Sequence, residues 1–167
     1  PTNADVTVSL GTSGTGTEGA DYSTISDITI SAGATTGTAS FTPTDDSVYE
    51  GNETGIVAVS SVSGGSATES GTQSVTITIT ENESAPTVTL TTSATSIDEN
   101  SSSVLTLTAT LSNATTADVT VSIATSGTAT EGTDYTDGSG NIDDIVITAG
   151  NTTETINFRP TDDSVYE

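Results

Sequence analysis

Residues 4–22 read ADVTVSLGTSGTGTEGADY, and residues 117–135 read ADVTVSIATSGTATEGTDY. Further along, FTPTDDSVYE at 41–50 returns as FRPTDDSVYE at 158–167. The same phrases in the same order, about 115 residues apart, amount to one β-sandwich domain per period. Within the first phrase Val6, Val8 and Leu10 alternate with polar residues, and Val119, Val121 and Ile123 do so in the second. A period of two is that of a half-buried strand, because successive side chains point to opposite faces of a sheet.

The alternation continues along the chain at Ile28/Ile30, Val57/Val59, Val75/Ile77/Ile79, Val88/Leu90, Leu105/Leu107/Ala109/Leu111 and Ile145/Ile147. Thr occupies most of the outward positions; it is β-branched and polar and so suits a solvated pleated face. No segment sustains an apolar stripe at 3.6-residue spacing, so essentially no helix is expected. Gly-containing turns at Ala32-Gly33, Gly51-Asn52, Ser63-Gly64-Gly65, Asp137-Gly138 and Ala149-Gly150 punctuate the strands. The pattern predicts an all-β chain of tandem immunoglobulin-like antiparallel β-sandwiches with Greek-key connections. Strands over 38–42 and 155–159 are expected to lead into the two acidic phrases.

The boundary falls at Glu81-Asn82-Glu83-Ser84-Ala85-Pro86, where Pro86 holds an extended entry to the next strand. This gives a sandwich over 1–83, a short linker at 84–86 and a second sandwich over 87–167, arranged end to end. The first has no counterpart of the strands over 87–111, and the second has none of those over 55–80. Both sandwiches are therefore expected to be truncated in this chain, the first lacking its first strands and the second its last. The chain reads as a phase-shifted window on a longer array. The connection from Tyr135 to Phe158 is longer than that from Tyr22 to Phe41, and the extra residues, Asp137–Asn141, read as a surface loop.

Composition narrows function. There are 23 acidic residues against one basic residue, Arg159, with no His, for a net charge of −22. That balance excludes a nucleic-acid backbone as a partner, which needs Lys and Arg to displace counterions. It also opposes docking on anionic lipid, and no apolar run is long enough to insert in a membrane. With no Cys, disulfides and thiolate zinc sites are out of reach. No Ser has a His or Cys partner for nucleophilic catalysis. Paired carboxylates could serve glycoside hydrolysis, but the aromatic residues that would line a sugar cleft number only six. The chain is expected not to be an enzyme.

The carboxylates form the strongest constellation. Asp45-Asp46-x-x-x-Glu50-x-x-Glu53 has a twin in Asp162-Asp163-x-x-x-Glu167. Asp21 and Asp134 close the Glu-Gly-x-Asp-Tyr phrase, Glu81 and Glu83 end the last strand of the first repeat, and Asp98-Glu99 lies between the first two strands of the second. Such clusters at one end of a sandwich must take up protons or bind cations. Six to eight hard oxygen ligands in a tolerant geometry suit Ca2+; zinc would want His or Cys.

The order Ile97-Asp98-Glu99, Gly127-Thr128-Ala129, Gly132-Thr133-Asp134-Tyr135, Phe158-Arg159-Pro160, Asp162-Asp163 and Glu167 resembles the Calx-β domain. That family occurs in the regulatory loops of sodium–calcium exchangers and in large bacterial surface proteins. The resemblance covers nearly the whole chain and implies an immunoglobulin-like sandwich with calcium in the loops at one end. Carried over by position, it implies Asp21, Asp45, Asp46, Glu50, Glu53, Glu81 and Glu83 as ligands in the first repeat. In the second it implies Glu99, Asp134, Asp162, Asp163 and Glu167. Where the family commonly closes its last strand with three Asp, this chain has Glu81-Asn82-Glu83.

The expected function is a structural or adhesive repeat of an extracellular, cell-surface protein or filament, stiffened by calcium and partnered end to end by copies of its own kind. Two alternatives stand beside it: a regulatory calcium sensor, and a filament subunit that assembles head to tail by strand complementation. The Thr ladders in VTLTT, LTLTAT and VTITIT are faces that could take a polysaccharide or another cell-surface ligand, although an ordinary solvated strand face is the better account, because Thr is a favoured strand residue.

Overall fold

The computed structural model describes residues 1–164. Its strands in chain order are β1 (Val6–Gly14), β2 (Ile28–Ile30), β3 (Val48–Tyr49), β4 (Glu53–Ser63), β5 (Ser74–Ile79), β6 (Val88–Thr92), β7 (Leu105–Leu111), β8 (Ala114–Thr115), β9 (Val119–Val121), β10 (Tyr135–Thr136), β11 (Ile145–Ile147) and β12 (Thr153–Pro160). The described residues contain no helix, in keeping with the absence of any 3.6-residue stripe. The chain divides into two compact units, one of Pro1–Asp46 with Glu50–Asn82, the other of Ser47–Tyr49 with Glu83 onward.

In the first unit four strands form one antiparallel sheet in the order β2-β1-β4-β5. Val6 lies opposite Ile30 and Val8 opposite Ile28; Leu10 lies opposite Val59, and Val57 opposite Val75. The alternation read from the sequence therefore puts these apolar residues on a common face. A bulge between Ser9 and Leu10 leaves Ser60 without a ladder partner, and the Ser60 hydroxyl donates to the Ser9 carbonyl at 3.0 Å. An extra residue of this kind raises local twist and re-aims the strand.

The aromatic residues pin the loop end of this unit. Tyr22 is 1% exposed, and its ring stacks on Phe41 with centroids 4.5 Å apart. Gly55, on β4, supplies the seat: a Cβ there would come within 2.6 Å of the Phe41 ring. The second unit repeats the pair, with Tyr135 on Phe158 at 4.6 Å.

The second unit contains a four-stranded sheet, β10-β12-β7-β6, and a β9–β11 pair. Its core joins Ala109 and Leu111 of β7 to Ile145 and Ile147 of β11, with Val119, Val121, Ile123 and Ile156 packed around them. β3 belongs to this unit and pairs in parallel with β8.

One expected strand is missing. Residues 155–159 lie within β12, hydrogen-bonded to β7 and β10. Their counterparts at 38–42 form no strand, and only Pro43 makes an isolated bridge, with Tyr22. A strand exists by virtue of a ladder partner for its N–H and C=O groups. β7 supplies one in the second unit, and no described residue supplies one along 37–41 in the first.

Candidate metal centre

The Glu-Gly-x-Asp-Tyr phrase folds as a compact turn. The Asp21 carboxylate accepts from the Thr17 amide at 2.6 Å, the Asp21 amide donates back to the Thr17 carbonyl at 2.9 Å, and the Thr44 amide donates to the Asp21 carbonyl at 2.9 Å. Buried Tyr22 then fixes the turn against the core. Asp134 sits in the equivalent turn of the second repeat, accepting from the Thr130 amide at 2.6 Å and, through its carbonyl, from the Thr161 amide at 2.9 Å.

The second side of the site comes from the loop that enters β4. One oxygen of Glu81 accepts from the amides of Glu50 at 2.6 Å and Gly51 at 2.7 Å. The Glu81 amide in turn donates to the Asn52 side chain at 2.9 Å, and Asn82 donates to Asp45 at 2.8 Å. The end of β5 thus holds the 45–52 loop, which carries Glu50 and leads into Glu53.

These two supports bring Asp21, Glu50 and Glu53 together. One oxygen atom from each lies within 4.8 Å of the others, and this is the one such group of three acids among the described residues. Burial and neighbouring charge disfavour the ionised form of two of them. Glu50 is pushed above the ordinary glutamate range, first by desolvation and then by the charges of Asp21, Glu53, Asp46 and Glu81. Glu53 is raised by desolvation, by the Asp21 charge and by a hydrogen bond with Asp21. Crowded all-oxygen donors of this kind fit a hard cation with flexible coordination, which is the chemistry of Ca2+.

The other candidates are placed differently. Asp45 and Asp46 are exposed on the neighbouring loop, and Glu83 is half-buried. Glu81 spends its carboxylate on backbone amides. In the second unit Glu99 is exposed in a turn between β6 and β7, and Asp162 and Asp163 are exposed just beyond β12. Glu167 lies outside the described residues.

Sequence reasoning missed a second use of acids. Glu18 accepts from the Ile25 amide and the Thr12 hydroxyl, and Asp27 accepts from the Leu10 amide and the Ser9 hydroxyl. Glu131 bonds Ile142 and Thr125 in the same way, and Asp144 bonds Ile123 and Ser122. Glu18 and Asp27 thus tie loops to β1, while Glu131 and Asp144 tie together the segments that follow β9 and precede β11. Backbone donation first, then the hydroxyl, holds Glu18 and Asp27 below their ordinary values. The signal was present: Glu18 repeats as faithfully as Asp21 in Glu-Gly-x-Asp-Tyr, and Asp27-Ile28 returns as Asp144-Ile145.

The two classes of acid predict a stability maximum in pH. Glu50 and Glu53 bind protons more tightly folded than unfolded, so metal-free stability rises as pH falls through their raised values toward the ordinary Glu value of about 4.3. Glu18 and Asp27 bind protons less tightly folded, so their contribution is lost as pH falls further, through their depressed values. Urea midpoints of the metal-free chain across pH should show the maximum. Glu50→Gln with Glu53→Gln should flatten its neutral side and leave the acid limb.

Comparison with protein-family models matches the Calx-beta domain twice, over residues 2–83 and over residues 81–167. No curated protein matches the chain.

Proposed function

The chain belongs to the Calx-beta domain family as two tandem repeats, and from that premise we propose that it is a calcium-stiffened structural segment of an extracellular surface protein or filament. Calx-beta domains are calcium-binding β-sandwich modules and a non-catalytic binding and structural family. They occur in extracellular or membrane-associated parts of proteins. No helix among the described residues is long and apolar enough to cross a membrane.

The observation that carries the reading is the convergence of Asp21, Glu50 and Glu53. Asp21 and Glu50 come from two separate loops and Glu53 opens β4, so a cation held among them would tie both loops to the start of β4. Bound calcium supplies positive charge where the chain has only negative charge. The residues supply the frame: the Asp21 turn, the Glu81 anchor and the buried Tyr22–Phe41 stack keep the oxygens close without a cation. A repeat held in this way resists opening at its loop end, which suits a load-bearing array flanked by repeats of the same kind.

Calorimetric titration of calcium onto chelator-treated protein tests this. Millimolar affinity is expected for an extracellular staple, whereas micromolar affinity would assign the site to sensing. Asp21→Asn with Glu53→Gln should abolish the heat from this site. Absence of calcium binding to the unmodified chain would refute the reading.

A further inference from the structure

One face of the β2-β1-β4-β5 sheet opens on a groove of about 320 Å³, lined among others by Leu10, Ile28, Phe41, Val57, Val75 and Ile77. Val75 is 62% exposed. No lining residue is charged, in a chain whose net charge is −22. A bare apolar face of this kind marks an interaction surface.

The second repeat shows what such a face receives. Ile145 and Ile147 are 2% and 0% exposed there, packed with Ala109 and Leu111 of β7. Their counterparts Ile28 and Ile30 are only half-buried. The backbone tells the same story independently. Thr155–Phe158 pair with Leu105–Thr108 of β7, while residues 37–41, which hold the corresponding place beside the groove, pair with no strand. The first unit thus presents both an uncovered apolar face and an unpaired backbone edge, the two features that accept an added strand.

We propose that this face and edge are an acceptor for an antiparallel strand pair of the β6–β7 kind, donated by a further repeat. The charge argument selects this occupant. VTLTT of β6 and LTLTATL of β7 contain no charged residue, so they approach the groove without the repulsion that any acidic segment would meet. In the second repeat β7 turns Ala109 and Leu111 inward with Thr between them, matching the face it would cover, while Val88 and Leu90 of β6 stay 44% and 52% exposed as its edge partner. A second copy of this chain is the poorer donor. Its β7 is engaged at home, with Ala109 at 0% and Leu111 at 3% exposure, and lending it would open the second unit.

The repeat itself provides the test. Residues 84–116 are fused ahead of Ala4, joined as they join Ala117 in the native chain, and both proteins are studied in chelator so that calcium plays no part. Amide exchange at residues 38–41 should slow at least 100-fold in the fused chain, and the first unit should melt at a higher temperature. Leu107→Asp with Ala109→Asp in the added segment should abolish both effects. Unchanged exchange at 38–41 in the fused chain would overturn the proposal. So would dimerisation of the unfused chain by ultracentrifugation accompanied by lost protection in β7, which would give the groove to a swapped copy.

Discussion

Calcium at about 100 times its dissociation constant should raise the melting temperature of the first unit by roughly 10 °C or more, and chelator should reverse the rise. The arithmetic is mass action: an ion bound only by the folded state adds about 2.7 kcal/mol at that ratio. For a domain of this size each kcal/mol is worth roughly 4–8 °C. Because Asp21, Glu50 and Glu53 repel one another without a cation, the variants should separate two effects. Glu50→Gln should make the metal-free protein more stable at pH 7, since it removes a charge that burial and neighbours oppose. The same substitution should remove most of the calcium response. A merely structural residue would lower both. Asp45→Asn with Asp46→Asn should weaken the response by removing charge beside the site, and Thr106→Ala on β7 should leave it alone. Differential scanning calorimetry with and without calcium reads all of these. A Glu50→Gln chain that melts lower in chelator and still gains fully from calcium would contradict the assignment.

How far the sequence alone reached depends on what each residue requires. Val6, Val8, Ile28 and Ile30 were legible as strand faces because alternation is a local property, and the structure pairs them as that alternation demands. Tyr22 and Phe41 adjoin the acidic phrases in sequence, but their stacking, and the space Gly55 gives them, depend on residues far apart in the chain. The strand expected at 38–42 failed for a non-local reason. Its sequence resembles that of β12, and the difference lies in whether another strand is beside it.

The acids divide along the same line. A cluster of carboxylates can be read as a cation site from composition and order. Which carboxylate faces an ion and which caps a backbone amide depends on loop geometry that spacing does not encode. Glu81 shows this: one of its oxygens accepts from the amides of Glu50 and Gly51, a role that its place after β5 does not reveal. Glu18 and Asp27 do not stand out in the sequence, since a lone acid in a Thr-rich loop looks like solvation, yet each ties a loop to β1.

Ile147→Ala should destabilise the second unit by about 2–5 kcal/mol, the range for emptying a well-packed aliphatic site. Ile30→Ala, the same substitution at the same place in the repeat, should cost the first unit only about 1 kcal/mol. Both side chains lie opposite a Val in a two-strand register, Ile147 against Val119 and Ile30 against Val6. Local propensity, strand pairing and residue type are therefore nearly matched. What differs is the cover: Ile147 is 0% exposed and packs in the cluster with β7, while Ile30 is only half-buried. The cavity part of the cost arises when neighbours cannot collapse into the vacated space, and a site open to water has little such space to lose. Urea unfolding of the two variants, followed by Tyr fluorescence and amide exchange to assign the units, measures the difference. Repeating Ile30→Ala in the chain fused to residues 84–116 should bring its cost up toward that of Ile147→Ala. Equal costs in the unfused chain would mean that the first unit already buries this face by some other route, and that its open groove is not where a strand pair is missing.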